Sequence, residues 1–180
     1  MKPGRLVGVA QRLAAVLGEG SALADGLAVA AWGEIRATRD VDFVTARPLA
    51  EVERALRGAG FAFVSRRGDS LSRDLPWVVE GKLDDVRFQV FALRGGKAFS
   101  TVSISPTGGE GAPVPVLDLA NLLRLKLEAG GPKDLWDVAR LLRRYPEELP
   151  RALAQASSLG VEDELRRWLE REGQPGSGRS

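Results

Sequence analysis

The hydrophobic period of this chain changes once, at Asp118, and that change limits the folds open to it. Ahead of it, short stretches of period two are interleaved with stripes of period 3.6; beyond it only the helical period remains. Leu6, Val9, Ala10, Leu13, Val16 and Leu17 recur at helical spacing, which predicts a first amphipathic helix ending at Gly18 and Gly20. A short helix is expected over Gly26–Trp32, closed by Gly33, and another over Pro48–Gly58 with Leu49, Val52 and Leu56 on one face. Strands are expected at Asp40–Val44, Phe61–Val64, Trp77–Val79 and Val86–Phe91. Shorter ones at Thr101–Ile104 and Val114–Leu117 flank a glycine-rich loop, Pro106–Pro113. After Asp118, Leu119, Leu122, Leu123 and Leu127 mark a helix stopped by Gly130-Gly131, and Pro132 opens the next at its favoured first position. Two further helices are expected at Glu147–Ala156 and Val161–Arg171. The order predicts an α/β (α+β) architecture: a mixed sheet flanked by helices over residues 1–117, and a helical region over 118–172 packed on it. Residues 173–180 have nothing apolar to bury and are expected to form a disordered tail.

Composition removes several classes of chemistry. The chain has 180 residues, the size of one ordinary domain, and neither cysteine nor histidine. Disulfides, thiolate metal sites, a cysteine nucleophile and a histidine base are therefore excluded. Any metal must be a hard ion with oxygen ligands, such as magnesium or manganese. Twenty-six basic against 24 acidic residues leave a net charge of +2, too small a surplus to mark a nucleic-acid binder. Arg66-Arg67 and Arg143-Arg144 read as solvated faces. The longest apolar run, Leu27–Trp32, is far short of a membrane span, and Gln11 and Arg12 interrupt the first apolar stretch, so a cytoplasmic protein is expected.

One segment concentrates candidate chemistry. Asp40 and Asp42 lie two apart on a predicted strand, so their carboxylates leave the same face about 6.5–7 Å apart at Cα. Val41 and Phe43 point the other way, into the core. Two like charges so placed call for a cation, and a pair of Mg²⁺ ions would neutralise them and hold a triphosphate. The plainer reading is two solvent-facing acids relieved by Arg36 and Arg39, although aspartate is depleted in strands. Upstream, Gly26 falls at a loop-to-helix junction, where backbone N–H groups can receive phosphate oxygens.

Gly26-Leu27-Ala28-Val29-Ala30, Gly33, Arg36-Ala37-Thr38 and Asp40-Val41-Asp42, in that order, resemble the nucleotidyltransferase superfamily of polymerase-β type. Within it the chain is similar to small bacterial AbiEii-like members and their relatives. Lys126-Leu127-Glu128-Ala129 followed by Lys133-Asp134-Leu135-Trp136-Asp137 resembles the family's second motif. The resemblance implies that Asp40 and Asp42 bind Mg²⁺ or Mn²⁺. It also implies that Gly26, Arg36 and Thr38 belong to the nucleotide-binding turn and that Lys126 holds the triphosphate, with Asp134 and Asp137 in support. Read from the residues alone, Lys126 is a snorkelling lysine, Asp134 a first-turn acid and Asp137 an i, i+4 partner of Lys133.

Two positions depart from the family pattern. Asp25 stands where the family has a first glycine, a carboxylate where phosphate should approach, and Gln89 stands where many members carry a third carboxylate. A glutamine cannot act as a general base; Asp85, on the same face, and Asp137 are the alternatives. The resemblance implies transfer of a nucleoside monophosphate from an NTP to a hydroxyl on a protein, a tRNA or a small molecule, in the setting of a toxin–antitoxin pair with a partner protein. Asp25 and Gln89 favour the alternative, a weak or inactive module on the same fold that binds a nucleotide or a protein.

Overall fold

The computed structural model describes residues 3–67, 75–93, 98–104 and 112–173. These form two compact units: the chain up to Ala31 with Ile35–Asp118, and Trp32–Glu34 with the chain from Leu119 onward. Most of the expected loop at 106–113, and the expected tail beyond Gly173, lie outside the described residues. Gly173 itself closes the last helix.

The first unit is built on a seven-stranded mixed sheet ordered β3-β4-β5-β2-β1-β7-β6. Its strands are β1 (Ser21–Ala24), β2 (Asp40–Thr45), β3 (Ala62–Arg67), β4 (Trp77–Leu83), β5 (Val86–Ala92), β6 (Thr101–Ile104) and β7 (Val114–Leu117). Its helices are α1 (Pro3–Leu17), α2 (Asp25–Ala31) and α3 (Leu49–Gly58). The pairs β1–β7 and β2–β5 are parallel, whereas β1–β2, β3–β4, β4–β5 and β6–β7 are antiparallel. Val41, Phe43, Val79, Phe88 and Val90 are buried on one face of the sheet. Phe61 meets the Phe88 ring edge-on at 5.7 Å, and Arg12 of α1 lies 5.9 Å from the Phe61 ring, so α1 caps this side. On the other face of β4, β5 and β2 stand Glu80, Lys82, Arg87, Gln89, Asp40 and Asp42, none of them buried.

β1 was not among the expected strands. Ser21-Ala22-Leu23-Ala24 is buried along its whole length between β2 and β7, so it shows no inward–outward alternation, and it also lacks the β-branched residues that usually mark such a strand. Consequently Gly26 does not follow a loop: β1 runs directly into α2.

The second unit holds α4 (Leu119–Ala129), α5 (Pro132–Arg144), a 3₁₀ turn (Pro146–Glu148), α6 (Leu149–Ser158) and α7 (Glu162–Gly173). The helix expected from Glu147 begins as α-helix only at Leu149. Pro150 has no N–H to donate and is tolerated only in a first turn, so the residues ahead of Leu149 wind as 3₁₀. Leu122, Leu127, Leu135, Val138, Leu141, Ala156 and Leu165 are buried. Polar ties supplement them: Trp136 donates its indole N–H to Glu172 (2.9 Å), and the Tyr145 hydroxyl donates to the Trp32 carbonyl (3.0 Å). Arg140 pairs with Glu34 at 2.7 Å. No helix among the described residues is long and apolar enough to cross a membrane.

Candidate functional site

Asp40 and Asp42 leave the same face of β2, with Val41 and Phe43 buried behind them, as period-two alternation requires. What surrounds them comes from strand order. β5 is the parallel neighbour, in a register that sets Arg87 beside Asp40 and Gln89 beside Asp42. On the other side, the antiparallel β1 sets Ala24 beside Asp42, one residue before α2 begins. The Arg87 guanidinium embraces the Asp40 carboxylate, Nε to Oδ1 at 3.0 Å and Nη2 to Oδ2 at 3.4 Å. Their side chains are 72% and 38% exposed, so the pair is worth at most about 1 kcal/mol and exchanges readily for another cation.

The row continues outward. Glu80 on β4 is the register partner of Gln89, and Gln89 donates its amide N–H to Glu80 Oε1 at 2.8 Å. Glu80 also pairs with Arg66 of β3. A cleft of about 130 Å³ opens on this face, lined by Asp40, Glu80, Gly81, Arg87, Phe88 and Gln89. Asp85, considered above as a substitute for the third carboxylate, is not on this face. With Asp84 it makes the two-residue turn joining β4 to β5, both with positive φ (49° and 64°), and it pairs with Lys82 at 3.2 Å. Arg87 and Glu80 were not singled out in the sequence; only strand pairing identifies them.

The strand-to-helix turn explains both Asp25 and Gly26. Asp25 adopts φ +46°, a left-handed conformation that aspartate tolerates better than most residues. Its carboxylate accepts from Arg36 Nη2 at 3.2 Å, and the Arg36 side chain is only 6% exposed. The negative charge that seemed to oppose phosphate is therefore held by a guanidinium of the same unit. A Cβ on Gly26 would lie 2.7 Å from Thr38 Oγ1 and 3.1 Å from Arg36 Nη1. The missing side chain thus makes room for the Arg36–Thr38 segment folded over the turn. Thr38 in turn donates to the Asp40 carbonyl at 3.4 Å, linking that segment to the start of β2.

In the helical unit, Lys126 from the last turn of α4 is 2% exposed, so it does not snorkel. Its ammonium lies 3.1 Å from Asp134 Oδ1 and 2.7 Å from Asp137 Oδ2. Asp134 and Asp137 are three apart on α5 and therefore share a face. Both are buried, and the three residues of the second motif form one buried ionic cluster.

The donor set on β2 suits a hard divalent ion: two carboxylates, all oxygen, on a partly exposed face. Both Asp40 oxygens are engaged by Arg87, a partner that a bound ion would displace. Two carboxylates plus phosphate oxygens and water make a usual magnesium shell.

Among the solved structures that share this fold are the following two. A candidate nucleotidyltransferase of Thermotoga maritima, TM1012, superposes with a TM-score of 0.54 at 18% identity, over 82% of this chain and 96% of its own. The antibiotic-resistance factor ANT(2'')-Ia superposes with a TM-score of 0.58 at 11% identity, over 93% of this chain and 96% of its own. No protein-family model matches the chain, and no curated protein matches it in sequence. At such identities the likeness is one of fold, and the architecture is that of the nucleotidyltransferases.

Proposed function

We propose that this protein, whose fold is that of the nucleotidyltransferases, transfers a nucleoside monophosphate from an NTP to a hydroxyl acceptor, with Mg²⁺ or Mn²⁺ bound by Asp40 and Asp42. The observation that carries the reading is the pair of carboxylates on the open face of β2, beside the strand end from which α2 starts. When bound, the metal neutralises charge at the phosphates and at the leaving group. The chain's own part is to hold those carboxylates at fixed spacing on a sheet and to supply cations around them. Gly26, Arg36 and Thr38 shape the turn proposed to receive phosphate, and Arg36 offsets Asp25 there. Lys126 is proposed as the cation for the triphosphate, supported by Asp134 and Asp137. Serving so requires it to exchange a carboxylate partner for a phosphate oxygen, a swap of like-charged ligands.

We infer a cytoplasmic setting, where NTPs are at hand, and kinship with AbiEii-like toxin–antitoxin proteins; the acceptor is a protein, a tRNA or a small molecule. The test is incubation of the protein with each labelled NTP and Mg²⁺ or Mn²⁺ in cell extract. Label should appear on an acceptor, and Asp42→Ala should abolish it; undiminished transfer by that variant removes the metal role. A second reading, a module that binds a nucleotide or a partner protein without catalysis, is favoured by Gln89 in place of an acid. Melting curves with Mg²⁺ and each NTP separate the two. A nucleotide at a hundredfold excess over its dissociation constant stabilises by about 2.7 kcal/mol. Stabilisation with no label transfer supports the module, and stabilisation with transfer supports the enzyme.

A further inference from the structure

We propose that Glu80 supplies the general base that position 89 lacks, displaced by one strand on the same face of the sheet. The inference rests on the nucleotidyltransferase reading and adds a residue to it. Asp42, Gln89 and Glu80 are successive register partners across β2, β5 and β4, so their side chains leave one face in a row. Gln89 is neutral and cannot take a proton from an attacking hydroxyl. Its amide instead donates to Glu80 Oε1 at 2.8 Å, which draws that carboxylate toward Gln89 and orients it. Glutamate is one methylene longer than aspartate, which offsets part of the extra strand spacing of about 4.8 Å. Glu80 and Asp40 line the same small cleft, together with Gln89 and Arg87.

In the proposed step, the acceptor hydroxyl gives its proton to a Glu80 carboxylate oxygen, and its oxygen forms a bond to the α-phosphorus. The bond from the α-phosphorus to the bridging oxygen breaks, and pyrophosphate leaves with that electron pair. Among the described residues, the charged groups facing Glu80 are Arg66 from β3, Arg87 from β5, Asp40 from β2 and Lys82 on its own strand. Arg66 holds one oxygen, Oε2, while Gln89 holds the other, Oε1.

Water can serve as the acceptor hydroxyl, so the test does not depend on knowing the natural one. Release of pyrophosphate from each NTP with Mn²⁺ is followed from acid to neutral pH for the unaltered protein, Glu80→Gln, Glu80→Gln with Gln89→Asp, and Asp42→Ala. Binding of a non-hydrolysable α,β-methylene nucleotide with Mn²⁺ is measured by calorimetry on the same proteins. Glu80 is 31% exposed, so its substitution is expected to leave the fold intact. Glu80→Gln should bind the analogue within about threefold of the unaltered protein yet release pyrophosphate about 10²–10⁴-fold more slowly. Adding Gln89→Asp returns a carboxylate to the strand next to Asp42 and should recover at least about tenfold. Release by Glu80→Gln at nearly the unaltered rate, with Asp42→Ala inactive, overturns the base and leaves the enzyme reading standing. So does loss of analogue binding by Glu80→Gln, since a base acts on rate and not on nucleotide affinity. No release from the unaltered protein, or undiminished release by Asp42→Ala, overturns both.

Discussion

Gly26 is where one side-chain atom more decides most. A methyl group there would sit 2.7 Å from Thr38 Oγ1 and 3.0 Å from Thr38 Cβ, inside van der Waals contact. Gly26→Ala is therefore expected to lower stability by about 1–3 kcal/mol in chemical denaturation, by pushing the Arg36–Thr38 segment off the turn. Thr38→Ala in the same chain should return part of that loss. The sequence singled out Gly26 for the approach of a phosphate; the structure adds the close approach of a neighbouring threonine, which the sequence did not indicate. A glycine marks a place where something comes close but not what comes close, because an absent side chain carries no chemistry of its own. Asp25 shows the same limit from the other side. Its charge was legible and its Arg36 partner was within view in the sequence, but only the folded turn brings the two to 3.2 Å.

Strands β4 and β5 illustrate how an element's position is local while its surroundings are not. The alternation of Val86, Phe88 and Val90 with Arg87 and Gln89 is visible in the sequence, and the structure keeps it. β4 was legible only as Trp77–Val79, because Glu80-Gly81-Lys82 breaks the apolar run; pairing with β3 and β5 extends it to Leu83. Gly81 has a definite duty in that extension. A Cβ there would enter the Phe88 ring and come within 2.5 Å of the Ala62 carbonyl oxygen, so the strand can cross Phe88 only with glycine at this point. Gly81→Ala is expected to cost about 1–3 kcal/mol or more, read from a denaturant midpoint, and to disturb the cleft that Gly81 and Phe88 line. Among the helices, Pro132 placed the start of α5 correctly, whereas Pro150 moved the start of α6, both through the missing N–H.

Over the molecule as a whole, the two units hold the ion pairs of their candidate residues on different terms. In the sheet unit the Asp40–Arg87 pair is partly to largely exposed and cheap to exchange, as the proposed metal-binding face needs. In the helical unit Lys126 is enclosed with Asp134 and Asp137, each carboxylate within 3.1 Å of the ammonium. Removing one partner of a buried ionic cluster leaves the others uncompensated, at a cost of about 3–5 kcal/mol. Lys126→Met should accordingly lower stability by that order in urea unfolding, and Asp134→Asn with Asp137→Asn added should return much of it. A lysine confined to the surface would show almost no loss. The sequence paired these three residues through motif resemblance, but their burial was not legible. Lysine on an amphipathic helix is ordinarily solvated, and only tertiary packing reverses that.

What the sequence determined by itself is the alternation of period before Asp118, the helical period after it, and the common face of Asp40 and Asp42. Each is a consequence of backbone geometry over a few residues, which no distant contact can alter without breaking the element. The tertiary structure alone decided that β5 lies beside β2, that β1 exists as a strand between β2 and β7, and therefore that Arg87 meets Asp40 and Glu80 stands behind Gln89. Register across a sheet is fixed by the pairing of segments dozens of residues apart and by the burial of one whole face, and neither is written in any short stretch of the chain.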